Sequence, residues 1–139
     1  MPNENMMVEK SALTLAAAKK IIAAAEAEAL KNGWPVVIAV VDDGANLICL
    51  QRLDNAQFGS VEIAIRKAKA AVAFKRPTKA WEETLVQGHL RVLALTGVLP
   101  AEGGVPLIWH GQIVGAVGVS GVKSSEDGQI ARAGASVLE

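Results

Sequence analysis

The chain has 139 residues, of which 51% are hydrophobic, 4% aromatic and 20% charged, with 14 basic residues balancing 14 acidic ones. A chain of this size buries roughly two-thirds of its unfolded surface, enough for one domain without disulfides or structural metal, and the single Cys49 excludes an intrachain disulfide. The balanced charge argues against a general nucleic-acid binder, which needs a surplus of Lys and Arg on one face.

Residues 1–12 read as an N-terminal tail and 13–139 as a single domain. The tail carries Glu4 and Glu9 and no basic segment leading into an apolar stretch, so it does not read as a secretory signal and the expected compartment is the cytoplasm. Thr14 is placed to cap a helix over Leu15–Leu30, where Leu15, Ala18, Ile22, Ala25 and Ala29 recur at three- and four-residue steps and Gly33 supplies a left-handed stop. Trp34-Pro35 ends it. Val36–Val41 is a continuous β-branched run, the pattern of a buried strand, and Asp42–Asn46 has turn composition before a returning strand at Leu47–Arg52. Ser60 precedes a second helix over Val61–Phe74, stopped by Pro77, and Thr78 is placed to cap a third. Gly88 interrupts that helix before Leu90–Leu95. Seven of the thirteen glycines fall between Gly97 and Gly121, which marks strands with close turns: Val105–Trp109 and Gln112–Ser120, joined by His110-Gly111. A last helix starts at Ser124 or Ser125, with Ser124 and Asp127 in capping-box spacing. Hairpins rather than βαβ crossovers imply an α+β domain with an antiparallel sheet. No apolar run is long enough to span a bilayer, so no membrane segment is expected. The heavy use of alanine in the helices allows close helix approach and points to oligomer packing.

The glycine-rich segment Gly115–Ser124 lies at a strand-to-helix turn, but Val122 separates Gly121 from Lys123 and no Gly-x-Gly is present, so neither a P-loop nor a dinucleotide fingerprint exists. Glu126 and Asp127 also occupy the helix start that would otherwise attract phosphate. Along that strand Val114, Ala116, Gly118 and Ser120 alternate onto one face, which is small near its end, so something approaches closely: a helix such as Val61–Phe74 or Leu15–Leu30, or a ligand on exposed backbone. His89, His110 and Cys49 have no metal-ligand spacing, and no dedicated metal site is expected. Either histidine still suffices as the single axial ligand of a haem iron. No Gly-x-Ser-x-Gly elbow surrounds Ser120, and no catalytic residue is assigned. Lys67 falls close to the apolar stripe of its helix, where it points toward a cleft; with Arg52 it makes a candidate clamp for a carboxylate or propionate.

The runs Val36–Gly44, Arg52–Asp54, Ile63–Thr78, Gly103–Leu107, Gly111–Gly121 and Glu126-Asp127, in this order and spacing, resemble the GlcG/HbpS family from about Leu13 onward. The resemblance implies a profilin-like α+β domain with a five-stranded antiparallel sheet flanked by helices, its extra strand near Val98–Ala101, and a homo-oligomer. That family includes haem-binding proteins, the similar C-terminal domain of PduO-type corrinoid adenosyltransferases, and small proteins of glycolate and glycerol or diol utilisation. The chain departs from the usual pattern in having Gly128 after Asp127, His110 at a turn more often Asp or Asn, and no histidine in its first helix or first hairpin.

Three readings of function follow. In the first, an oligomeric module binds haem, a corrinoid or another small anion near Gly103-Gly104 and Ser120-Gly121, with Arg52 and Lys67 supplying charge. In the second, an enzyme acts on a small oxidised metabolite or haem through Asp42 or Asp127. In the third, the chain assists a metabolic enzyme and holds no small ligand.

Overall fold

A computed structural model describes residues 5–139; Met1–Glu4, part of the segment read as a tail, lie outside the described residues. Helix α1 spans Leu15–Asn32, starting where Thr14 Oγ1 accepts the Ala17 N–H at 3.1 Å and stopping at Gly33, whose φ of 71° is left-handed. Strands β1 (Val37–Asp42) and β2 (Leu47–Arg52) form the first hairpin, α2 runs Gly59–Ala73 and α3 Thr78–Val86, and a short 3₁₀ turn follows at Leu90–Ala94. Strands β3 (Gly104–Trp109) and β4 (Gln112–Ser120) form the second hairpin, and α4 (Ser124–Ala135) ends in a 3₁₀ turn at Ser136–Leu138.

The sheet is antiparallel throughout, in the order β2-β1-β4-β3. It has four strands rather than five. Val98–Ala101 forms no strand because its backbone turns on itself: the Val98 N–H goes to Leu95 O, the Ala101 N–H goes to Leu99 O, and Pro100 has no N–H to give. One face of the sheet packs under α1 and α4, where Ile38, Val40, Val117 and Val119 meet Ile21, Ile22, Ala25 and Ile130. The other packs under α2, where Val37, Ala39, Val41 and Ala116 meet Ala64, Ala68 and Ala71. Much of the alanine in α1 and α2 is thus spent inside the chain: Ala18, Ala25, Ala29, Ala64, Ala68 and Ala71 are all fully buried. Gly134 of α4 packs against Ile21 and Ala25 of α1.

Three expected caps differ. Ser60 lies within the first turn of α2 rather than before it, and its hydroxyl faces Ser120 of the sheet. Thr78 is the first residue of α3, and its hydroxyl accepts the Gly104 N–H at 2.9 Å instead of capping its own helix. At α4 it is Glu126 that reaches back to the Lys123 N–H, at 3.2 Å. A bulge also breaks the alternation expected along β4. Leu107 pairs with Gly115 and Ile108 with Ile113, so Val114 is the extra residue and joins Val117 and Val119 in the core on the α1 side.

Gly104 and Gly118 are cross-strand partners, and both lie directly under the α2 backbone. A Cβ on Gly118 would collide with Ala64 O and lie 2.6 Å from Ala68 N, and one on Gly104 would collide with Lys67 O. Of the two alternatives for the small face of β4, a packed helix is therefore what covers Gly118.

The turn between β1 and β2 is held by Asp42, whose Oδ1 accepts the Gly44 N–H at 2.9 Å and the Asn46 N–H at 2.8 Å. The N–H of Asn46, with that of Gly44, holds the carboxyl below the ordinary aspartate value of 3.8 against a partial desolvation.

Two outcomes are expected. Gly118→Ala lowers unfolding free energy by about 3 kcal/mol in urea titration, since the strand cannot move off α2 without repacking both layers. Because the Asp42 carboxyl is depressed in the folded state, its contribution is complete above the ordinary value of 3.8 and disappears as pH falls through the lower folded value. Asp42→Asn accordingly flattens the acid limb of a stability-against-pH curve below about pH 4.

Candidate functional site

The seating of α2 on the glycine pair carries Lys67 beneath the sheet edge, where the side chain is only 3% exposed. Its Nζ donates to Val119 O at 3.0 Å and to Asp127 Oδ2 at 3.0 Å. Asp127, equally buried in the first turn of α4, uses Oδ1 to accept the Val122 N–H at 3.1 Å. One ion pair therefore ties α2, the end of β4 and the start of α4 together. Burial pushes the Asp127 carboxyl above the ordinary aspartate range, while Lys67 and the N–H groups of Val122 and Gly121 pull against that push.

Around this pair the chain is closed. A Cβ on Gly103 would lie 2.5 Å from Val119 O and 2.8 Å from Lys67 Nζ, and one on Gly121 2.6 Å from Pro35 O; both have positive φ, 138° and 150°. Ser120 Oγ donates to Ser60 Oγ at 3.1 Å, and Gln57 Nε2 reaches the same oxygen at 3.0 Å. Beyond Gly103, Glu102 is buried and accepts from Arg132 Nη1 at 2.9 Å. The Glu102 carboxylate occupies the space that a side chain on Gly128 would take, which accounts for a glycine inside α4.

The structure thus brings together five of the six expected ligand contacts, Lys67, Gly103, Gly104, Ser120 and Gly121, in a packed cluster; none of them lines the clefts described below. Arg52 stands apart at the exposed end of β2. Of the two acids of the enzyme reading, Asp127 is buried and tied to Lys67, and Asp42 is half-buried and tied to its turn. The apolar stripe beside Lys67 reads as a cleft and its partner as a ligand carboxylate; the carboxylate it meets is Asp127, 60 residues away, which only the fold could name.

Several clefts open on the surface of the described residues. The first, about 550 Å³, is lined by Arg52, Trp34 and Leu30, together with the acids Glu26 and Asp54. The second, about 460 Å³, is chiefly apolar, between Leu13 and Ala17 on one side and Trp109, Val114 and Leu138 on the other. A third, about 320 Å³, shares Thr14, Ala17 and Leu138 with it and adds Lys20. A fourth, about 420 Å³, lies by Lys75, Arg76 and Arg132. His110 does not line the second cleft; its ring is stacked on Trp109, which does, at 4.2 Å between centroids and 23° between planes. His110 and Gly111 have φ of 49° and 76°, the two-residue turn that suits a hairpin's twist. His89 is exposed at the start of the Leu90–Ala94 turn and lines none of these clefts. No group of three His, Cys, Asp or Glu side chains able to hold a metal ion occurs among the described residues, and no helix there is long and apolar enough to cross a membrane.

Removing one partner of the buried pair leaves the other uncompensated. Lys67→Met is expected to cost about 3–5 kcal/mol, and the double variant with Asp127→Asn less, because Asn keeps an acceptor for Val122 without the charge; urea titrations of the cycle measure this.

Comparison with known proteins agrees with this architecture. The chain is 42% identical over 114 residues to protein GlcG of Escherichia coli K12, covering 82% of this chain and 85% of GlcG. A double mutant of Streptomyces reticuli HbpS superposes with a TM-score of 0.87 at 37% identity, over 97% of this chain and 92% of that one. The haem complex of PduOC superposes with a TM-score of 0.83 at 27% identity, over 93% and 96%. The family described as haem degrading protein HbpS-like matches residues 13–136, and the chain belongs to it.

Proposed function

We propose that this chain is a small-molecule-binding accessory module that takes up haem or a corrinoid, acts as a homo-oligomer in the cytoplasm, and serves glycolate-, glycerol- or diol-type metabolism. The likeness to a haem-bound PduOC supports the class of ligand. The observation that carries the reading on this chain is the apolar cleft beside Trp109 and His110.

The cleft suits a tetrapyrrole on three counts. Its walls supply apolar surface, the source of most binding energy for such a ligand. It continues along α1 to Lys20, whose ammonium is suited to a propionate. The His110 imidazole, stacked on Trp109 of the cleft wall, is a ligand type suited to iron or cobalt. When bound, the metal centre would supply redox or ligand-exchange chemistry. The protein's part would be to hold the ring against Leu13, Trp109, Val114 and Leu138, with the His110 imidazole turned from its stack on Trp109 toward the metal.

In this reading Lys67, Gly103, Gly104, Ser120 and Gly121 are the packed frame that holds β4 and the hairpin in place. Arg52 offers a second seat, where Trp34 gives a flat apolar surface but Glu26 and Asp54 oppose a dianion. Self-association is assigned to the arm formed by α3 and the turn after it, where Val86, Leu90 and Leu93 are 81%, 69% and 65% exposed.

Absorption titration with haemin, and separately with a corrinoid, tests the ligand. A saturable Soret shift near one equivalent is expected with haemin, and His110→Asn, which keeps the turn, abolishes that shift or weakens binding by at least about tenfold. Featureless, non-saturating spectra with both compounds overturn the tetrapyrrole reading; loss in Arg52→Ala but not in His110→Asn moves the ligand to the first cleft. Sedimentation mass tests the assembly: the wild type exceeds the monomer and Leu90→Glu shifts it toward one chain.

A further inference from the structure

The fourth cleft shares no lining residue with the cleft at Trp109 and takes no part in that function. Its floor is apolar, made by Val105, Pro106, Ile108 and Ile113 of the edge strand and its neighbour. Three cations stand around it, Lys75, Arg76 and Arg132; Glu139 lies on its lining, and Arg132 is already paired with Glu102. Two helices deliver these cations: α2 ends beside it and α4 runs along it. A helix C-terminus favours a nearby cation, and that accounts for one at each helix end. It does not account for both ends converging over an apolar floor.

Both guanidinium groups are pre-positioned, and Lys75 is held at its backbone. Lys75 closes α2, with its N–H to Val72 O at 3.3 Å and the Arg76 N–H to Ala71 O at 3.2 Å, the arrangement in which the residue at Lys75 is left-handed. Its φ is 54°, so a lysine occupies a position that glycine fills with less strain. Arg76 donates from Nε to Phe74 O at 2.9 Å and lies over the Trp81 ring at 4.8 Å from its centroid, which fixes the guanidinium plane while its two terminal nitrogens stay available. Arg132 is anchored through Nη1 to the buried Glu102, with further N–H groups left over. Cations whose orientation is set before binding lose little freedom when an anion arrives.

We propose that this cleft is a binding site for a small carboxylate with a flat apolar body. The carboxylate meets Lys75 and the guanidinium of Arg76 or Arg132, and the body lies on Val105, Ile108 and Ile113. The planar fork of arginine matches a carboxylate, and the floor gives the remaining contact as burial of apolar surface. Glu139 tunes the site by opposing the same charge.

Methyl NMR of the full chain titrated with naphthoate, and with neutral naphthamide as its isostere, tests the site. Saturable shifts confined to Val105, Ile108 and Ile113 are expected with naphthoate and not with naphthamide. Lys75→Gly and Arg76→Gln each weaken naphthoate by about tenfold, while Glu139→Gln tightens it. Lys75→Gly also leaves the melting temperature unchanged or raised, which separates lost binding from lost folding. Equal shifts with naphthamide, unchanged affinity in both cation variants, shifts centred instead on Val114 and Leu138, or no shift at all overturn the proposal.

Discussion

Gly104 and Gly118 face each other across β3 and β4, and the backbone of α2 rests on them because neither has a Cβ. That contact sets the depth at which α2 lies, and the depth decides the fate of Lys67. A side chain one turn of helix above a normal sheet surface would keep its ammonium in water; here it passes under the edge to Val119 O and Asp127. The buried pair in turn fixes the start of α4, and α4 seals the opposite face of the sheet with Ile130 and Ala131. Both layers are therefore registered to each other through two missing methyl groups and one ion pair. Such a pair contributes more to uniqueness than to net stability, since desolvation offsets much of its attraction.

The same economy of volume explains the alanines. Ala64, Ala68 and Ala71 let α2 sit close to the sheet, and Ala18, Ala25 and Gly134 do the same where α1 meets α4. Small side chains bring backbones together, and backbones brought together leave no room for a ligand among them. The clefts consequently lie at the periphery, where loops, helix ends and the tip of the second hairpin fail to fill the space between layers.

Those peripheral sites share a backbone signature. Among the described residues four non-glycine residues have positive φ, Ala45, Asn55, Lys75 and His110. Asn55 and Lys75 line clefts, and His110 stacks on Trp109, which lines another. Lysine is the residue among them that the left-handed conformation favours least.

Much of the architecture was legible in the residues alone. Thr14, Gly33, Pro77 and the His110-Gly111 turn are local signals, governed by the few atoms around them, and they placed α1, the end of α2 and the second hairpin. The β-branched run at Val36–Val41 declared a buried strand by composition, and the Gly118 face of β4 declared that something lies close. What lies close, and what Lys67 meets, depended on contacts between residues far apart in the chain. Ser60 and Thr78 carry the same chemistry whether they cap a helix or bind a strand, and only the packing of α2 and α3 against the sheet chose the strand. The absent fifth strand had a local cause, Pro100 without its N–H, yet a strand exists only through its partner. Periodicity and capping chemistry are therefore determined by sequence, because they act over a few residues. Burial, charge pairing and clefts belong to the tertiary structure, because they arise only where distant segments meet.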